Sequence, residues 1–238
     1  AKLALTTGAR PRRLPAEIGG DLAGVFTIRG VADADRIAPL LERGKHLLVI
    51  GGGFTGLEAA AVARTKGMEV TIIEVAERIL QRVAAPPTAD YFRALHRNHG
   101  VTILESTALA RLTSEAGRLT GATLKDGTHL PASLAIVGIG ILPNDALAHA
   151  AGLAVDNGIV VDGQCRTSAP DIYAAGDCVR FPWRGEPTRP ESVQNAIDQA
   201  EHAAAAMLGE QRGYDPVPWF WSDQYDVKLQ IAGLGRRY

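Results

Sequence analysis

The chain has 238 residues, 46% of them apolar and 21% charged, a composition that suits one large or two modest globular domains. A formal net charge of −1 excludes a bulk attraction for nucleic acid or an anionic membrane, and no apolar run approaches the roughly 20 residues that span a bilayer. Two cysteines, Cys165 and Cys178, form neither a C-x-x-C pair nor a ligand cluster. No metal site is therefore expected, and the pattern is that of a reduced cytoplasmic protein.

Residues 3–7 read as a short strand ended by Gly8 and the Arg10-Pro11-Arg12 run. No basic segment followed by an apolar stretch precedes it, so no secretion signal is read. The strand-like opening, without an initiator Met, and a second strand-like run at 228–232 are read as a chain cut through structure at both ends. Residues 13–34 are expected to be irregular. Residues 35–43 read as a helix with apolar spacing at Ile37, Leu40 and Leu41. The run 47–50 is apolar throughout, as a strand buried on both faces of a parallel sheet should be. A glycine turn follows, then a helix over 55–66 stopped by Gly67, a strand over 68–74, a helix over 88–98 closed by Gly100, and a strand over 101–105. This alternation predicts an α/β fold with a doubly wound parallel sheet.

Residues 107–138 change character. Strand-like runs at 108–113, 121–124 and 135–137 alternate with the turn signals Glu115-Ala116-Gly117 and Lys125-Asp126-Gly127. They predict an antiparallel meander packed on the parallel sheet. Gly138-Ile139-Gly140 begins a second glycine loop and a crossing between domains. Short strands at 159–161 and 172–175, an Ala-rich helix over 191–208 and a hairpin over 220–232 turning at Asp226 complete the expected elements.

The Gly51-Gly52-Gly53-Phe54-Thr55-Gly56 segment fits G-x-G-x-x-G between an apolar strand and a helix, and Glu74 ends the next strand 21 residues beyond Gly53. Together these make the full dinucleotide fingerprint. Gly51 permits the tight turn, Gly53 lets backbone approach a pyrophosphate, and Gly56 lets helix and strand pack closely. The helix start at Phe54 and Thr55 offers free N–H groups and a positive dipole end to phosphate. Glu74 sits where a carboxylate would accept hydrogen bonds from an adenosine ribose and repel a phosphate on it, which favours NAD over NADP; Arg78 nearby could partly offset that charge. Glu58, inside the helix, is a candidate to hold a nicotinamide carboxamide. An ordinary solvated helix glutamate reads equally well there. Farther along, Ala174-Ala175-Gly176-Asp177 ends a short buried strand with a carboxylate at its C-terminal end, where open α/β sheets bind ligands.

The order Thr6-Thr7-Gly8-x-Arg10-Pro11, the fingerprint, Gly138-Ile139-Gly140 and Ala174-Ala175-Gly176-Asp177 resembles the FAD-dependent pyridine-nucleotide reductases. That is a glutathione reductase-like fold in which an NAD domain interrupts an FAD domain. Arg189-Pro190-Glu191-Ser192-Val193-Gln194-Asn195-Ala196 and Pro218-Trp219-Phe220-Trp221-Ser222-Asp223-Gln224 look like the ferredoxin reductase branch, which serves cytochrome P450 and aromatic-ring dioxygenase systems. The resemblance implies an FAD segment at 1–8, an NAD domain at 9–136, a second FAD segment at 137–215 and the start of an interface domain at 216–238. It implies that the first FAD-binding unit and most of the interface domain lie outside this sequence, so that the chain alone is expected not to retain flavin. Gly8 and Arg10 would line the FAD phosphates, Gly138 and Gly140 the crossing, and Gly176 and Asp177 the ribityl chain. The helix beginning near Val193 would point at the flavin; some relatives carry Trp at that position.

The activity so implied is hydride transfer from NADH to FAD, followed by single-electron delivery to a ferredoxin-type iron–sulfur protein. Two alternatives remain open. One is another reductase or oxidase of the superfamily, such as an NADH oxidase, a disulfide reductase or a monodehydroascorbate reductase. The other is a redox-sensing interaction protein like apoptosis-inducing factor. Arg180, Arg184, Arg189, Arg236 and Arg237 are candidates for a basic docking surface, against the plainer reading of solvated surface arginines.

Overall fold

The computed structural model describes residues 1–234. The chain divides into two units: the first gathers Ala1–Arg10, Ile141–Trp221 and Gln230–Leu234, the second Pro11–Gly140 and Ser222–Leu229. The breaks thus fall at 10/11, 140/141, 221/222 and 229/230, and the described part of the 216–238 stretch is divided between the two units.

In chain order the first unit opens with β1 (Leu3–Leu5) and is left through β2 (Ala9–Pro11). The second unit holds β3 (Val25–Phe26), α1 (Val31–Ile37), β4 (His46–Ile50), α2 (Phe54–Thr65), β5 (Glu69–Ile73), α3 (Pro86–Asn98) and β6 (Val101–Leu104). It continues with β7 (Leu109–Glu115), β8 (Arg118–Leu124), β9 (His129–Pro131) and β10 (Leu134–Val137). The first unit resumes with β11 (Ile141–Pro143), α4 (Ala146–Ala150), β12 (Ile159–Val160), β13 (Ile172–Ala174), β14 (Val179–Trp183), β15 (Glu186–Thr188) and α5 (Val193–Met207). A hairpin of β16 (Trp219–Gln224) and β17 (Val227–Ala232) ends the described chain.

The second unit is built on a five-stranded sheet in the order β3-β10-β4-β5-β6, every neighbouring pair parallel. Leu47, Leu48, Val49 and Ile50 of β4 are all buried, as a strand covered on both faces requires. Each such side chain contributes about 1.5–3 kcal/mol of burial. Leu48, Ile50, Ile73, Ala135 and Val137 pack against Leu112, Leu119, Ala122 and Leu124 of the antiparallel β7-β8-β9 meander. Successive strands β4, β5 and β6 step to one side, while β10 lies on the other side of β4. The order in which strands are added therefore reverses between β4 and β10, the place where open parallel sheets bind ligands at their C-terminal ends.

Two expectations are corrected. Residues 135–137 are not the third strand of the meander: β10 inserts beside β4 in the parallel sheet, and the third meander strand is β9. A four-residue apolar run reads alike in both settings, and only the partner strand separates them. The helix expected at 35–43 begins earlier, at Val31, and turns 3-10 over Ala38–Leu40, where Pro39 removes an amide donor. Gly30 and the Asp33 carboxylate, which accepts from the backbone N–H groups of Arg29 and Gly30, set its start. Within the stretch expected to be irregular, Val25 and Phe26 form an edge strand on β10.

In the first unit, β1 pairs in parallel with β13, and β12-β14-β15 forms a second small sheet. Leu5, Ile159, Ala174, Cys178, Val179 and Phe181 share its core. Helix α5 begins at Ser192, whose hydroxyl accepts from the Asn195 N–H at 3.1 Å, an ordinary N-cap.

Candidate nucleotide site

The glycine turn after β4 lies at the point where the strand order reverses. Gly51 has φ +109°, and a Cβ there would stand 2.3 Å from the Gly138 carbonyl oxygen. A Cβ on Gly56 would stand 2.1 Å from the Gly51 carbonyl oxygen. Both glycines are obligatory for packing, whether or not a ligand is present. Gly53 differs: a Cβ there meets nothing within 4 Å, and no side chain caps α2. The first N–H groups of α2 therefore open beside an empty approach to backbone, the arrangement a phosphate anion fits. Phe54 is half-buried and Thr55 exposed at this helix start.

Glu74 is held at the edge of the same turn. One carboxylate oxygen accepts from the Gly52 N–H at 2.6 Å and the other from the Ala76 N–H at 2.8 Å. The loop after β5 is fixed by a second carboxylate, Glu105, which accepts from the Ile79 N–H at 2.7 Å and from Arg93 at 2.8 and 2.9 Å. Burial pushes the Glu105 carboxyl up, but Arg93 and the Ile79 amide hold it below its ordinary value. Ile79 is buried against Gly52, where a Cβ would meet its Cγ2 at 2.7 Å. Arg78, expected as a possible counter-charge to Glu74, donates instead to the carbonyls of Ala84 and Gln81. Glu77 is exposed.

Glu58 is not a solvated helix residue. It is half-buried, and its Oε1 accepts from the Ser222 hydroxyl at 2.6 Å. Burial raises its pKa; the Ser222 bond opposes this and the Asp223 charge adds to it. Gly138 lies against Gly51 and Gly56, and Gly140 near the side chains of Arg12 and Arg82. The structure thus brings Gly51, Gly53, Phe54, Thr55, Gly56, Glu74 and Gly138 together at the strand ends.

In the first unit the Gly8 carbonyl accepts from the Asn144 N–H at 2.9 Å, and Arg10 donates to Asn144 Oδ1 at 3.1 Å. Arg10 therefore braces the return of the chain at β11. Gly176 follows β13 with φ +86°, and its N–H donates to Gln199 Oε1 of α5 at 2.9 Å. Ala196 is the nearest neighbour a Cβ at Gly176 would meet, at 3.5 Å, so strand end and helix start are adjacent. Asp177 is half-buried, while Val193 and Ile197 of α5 are 59% and 48% exposed.

Both thiols are free and buried. Burial pushes Cys165 up to about 12, and the Cys178 thiol donates to the carbonyls of Ala175 and Leu5. Arg180 and Arg184 pair with Asp156 and Asp215, which favours the plainer reading of surface arginines for these two. Arg189 departs from both readings, its side chain being 9% exposed, paired with Glu191 and donating to the Asp177 carbonyl at 3.4 Å; Arg236 and Arg237 lie outside the described residues. Sequence reasoning missed the partners of its site residues: Ser222 for Glu58, Gln199 for Gly176, Ile79 for Gly52 and Asn144 for Arg10. All join segments far apart in the chain, and no local pattern encodes them. Among the described residues no helix is long and apolar enough to cross a membrane.

Comparison with known proteins bears on this geometry. Residues 219–238 match the "Reductase C-terminal" family model. Rhodocoxin reductase of Rhodococcus erythropolis is 44% identical over 98% of this chain and 55% of its own length. Putidaredoxin reductase of Pseudomonas putida is 43% identical over 100% of this chain and 58% of its own length. Among solved structures, the ferredoxin reductase for the CYP199A2 system of Rhodopseudomonas palustris superposes with a TM-score of 0.95 at 44% identity, covering 99% of this chain and 58% of that one. The chain therefore spans somewhat over half the length of the curated relatives it matches. Residues 1–200 match the family model described as "Pyridine nucleotide-disulphide oxidoreductase", and with the doubly wound fold and the glycine turn above, this chain belongs to that family.

Proposed function

We propose that the chain is part of an NADH-dependent flavoprotein that passes electrons to a ferredoxin-type iron–sulfur protein. The observation that carries the reading is the open backbone at Gly53, beneath an uncapped α2 N-terminus and beside the fixed carboxylate of Glu74. The N–H groups of α2 would receive the pyrophosphate and Glu74 an adenosine ribose, with Glu58 at the carboxamide end. A phosphate on that ribose would face Glu74, and Arg78 does not offset the charge, since it donates to the loop's own carbonyls. At about 4 Å and an effective dielectric near 20 that repulsion reaches roughly 4 kcal/mol as an upper figure.

The first unit's share is the flavin. Gly176 and Asp177 at the end of β13, the exposed Val193 at the start of α5, and Gly8 with Arg10 are the residues that would hold FAD. Bound FAD would supply the step from two-electron to one-electron chemistry; the protein positions it, and the positive end of α5 favours negative charge beside it. A ferredoxin acceptor is supported by the relatives, whose names include putidaredoxin reductase and rhodocoxin reductase, and by the structurally similar reductase solved as a covalent complex with putidaredoxin. A thiol relay is disfavoured by the burial of both cysteines. Two free thiols are in keeping with a reducing, cytoplasmic setting.

The test uses the full-length, flavin-loaded protein in stopped flow, with NADH or NADPH as donor and an iron–sulfur ferredoxin as acceptor. The expected result is at least a tenfold preference for NADH and ferredoxin reduction at catalytic rates. Equal use of NADPH, or rapid flavin reduction without delivery to any ferredoxin, would overturn it; the second outcome would favour a redox-sensing protein.

A further inference from the structure

The Glu58–Ser222 contact is the end of a longer line of hydrogen bonds within the second unit. Ser222, Gln224 and His96 are 1%, 0% and 0% exposed. Gln224 Nε2 lies 3.0 Å from Ser222 Oγ, His96 Nε2 lies 2.8 Å from Gln224 Oε1, and the Tyr225 hydroxyl lies 3.4 Å from His96 Nδ1. The Tyr225 ring in turn stacks on His99 at 3.7 Å between centroids.

The direction of every bond follows from the carboxylate. An ionised Glu58 can only accept, so the single hydroxyl proton of Ser222 is committed to it. Ser222 Oγ must then accept from Gln224, which places the amide nitrogen there and the amide oxygen toward His96. His96 must carry its proton on Nε2 to satisfy that oxygen, leaving Nδ1 to accept from Tyr225. All four donors thus point the same way, toward Glu58, and aligned hydrogen bonds polarise one another. Burial lowers the His96 pKa, opposed by the Gln224 bond and reinforced by the His99 charge, which keeps the ring neutral as this tautomer requires. Glu58 Oε2 takes no partner among the described residues.

We propose that Ser222, oriented by Gln224 and His96, is a positioning residue for nicotinamide recognition. It holds one oxygen of Glu58 so that the other stays available to the carboxamide N–H of the dinucleotide. This rests on the dinucleotide reading of the glycine turn. A hairpin of the chain thereby sets the selectivity of a site whose phosphate-binding parts lie on α2.

The test is calorimetric titration of the chain with NAD and with ADP-ribose, which shares everything but the nicotinamide. Ser222→Ala should weaken NAD about three- to tenfold, the loss of one ordinary hydrogen bond, and leave ADP-ribose within about 1.5-fold. Ser222→Thr, which keeps the hydroxyl, should restore most of the NAD affinity. Should Ser222→Ala lose ADP-ribose binding as well, Gln224→Met carries the test: it frees the hydroxyl to turn away and should cost about two- to threefold in NAD alone. Equal losses for the two ligands in both variants, or no loss of NAD, would overturn the proposal. Failure of the unsubstituted chain to bind ADP-ribose would overturn the dinucleotide reading instead.

Discussion

Two strand ends, one in each unit, look alike in sequence and differ in what holds them. Both β4 and β13 are short, buried and followed by a glycine at positive φ, Gly51 at +109° and Gly176 at +86°. At Gly51 the backbone itself closes in: a side chain would run into the Gly138 carbonyl at 2.3 Å. At Gly176 the nearest neighbour is the Ala196 methyl at 3.5 Å, an ordinary contact, and only the dihedral favours glycine. The first turn is therefore specified by tertiary packing where the strand order reverses, the second by local backbone geometry and one amide from Gln199. A glycine motif can mean three things, namely a forced dihedral, a forced close approach, or room left for something else, and these two sites separate them.

Substitutions at the three kinds of glycine should break the comparison apart. The largest effect is expected for Gly51→Ala, which combines left-handed strain with an impossible contact to backbone. A loss of about 3 kcal/mol or more should lower the melting temperature by roughly 6–12 °C in thermal denaturation. Gly53→Ala should act on the ligand instead. Its φ of −82° suits alanine and its Cβ enters open space, so stability should fall by less than about 1 kcal/mol, the ordinary cost of alanine at an N-cap. Dinucleotide affinity should nonetheless drop by roughly thirty- to hundredfold in titration with NAD, because the methyl occupies the pyrophosphate's approach. A Gly53→Ala chain that binds NAD normally would show that the open backbone has no ligand. The smallest effect belongs to Gly176→Ala: about 1–2 kcal/mol from the dihedral alone, seen as faster amide exchange around β13 with the second unit unchanged. A loss as large as that at Gly51 would mean that the first unit's turn is also held by close packing.

What the sequence made legible follows the same division. The run from β4 to β6 could be read because periodicity, the stops at Gly67 and Gly100, and the spacing from Gly53 to Glu74 are all local signals. The placement of β10 could not, since Leu134–Val137 is apolar in either a meander or a parallel sheet and only its pairing with Leu47–Ile50 decides. The β14–β15 hairpin was hidden by Pro182 and Pro187, which stand opposite each other in it and argue against strands in a sequence. At the site, backbone-binding residues were visible from spacing, and Glu58 was visible as a candidate. What fixes Glu58 was not, because Ser222 lies in a hairpin far down the chain and had meaning only as part of a resemblance.

The insertion of β10 beside β4 also governs when the nucleotide turn can form. Leu47 pairs with Leu134, so the two strands that frame the turn enter the sheet from opposite ends of the second unit's sequence. During synthesis β4, α2 and β5 emerge first and can associate locally, but Gly51 has no Gly138 carbonyl to rest against until β10 has been made. Closing so long a loop costs little more free energy than a short one, since each doubling adds only about 0.6 kcal/mol, yet non-local pairing slows the search. Until then the β4 edge that β10 will cover stays exposed, a run of four apolar residues with unpaired amides. The nascent chain is therefore expected to be most prone to aggregation in the interval between synthesis of Ile50 and of Val137, and to gain competence for nucleotide late and abruptly rather than by degrees.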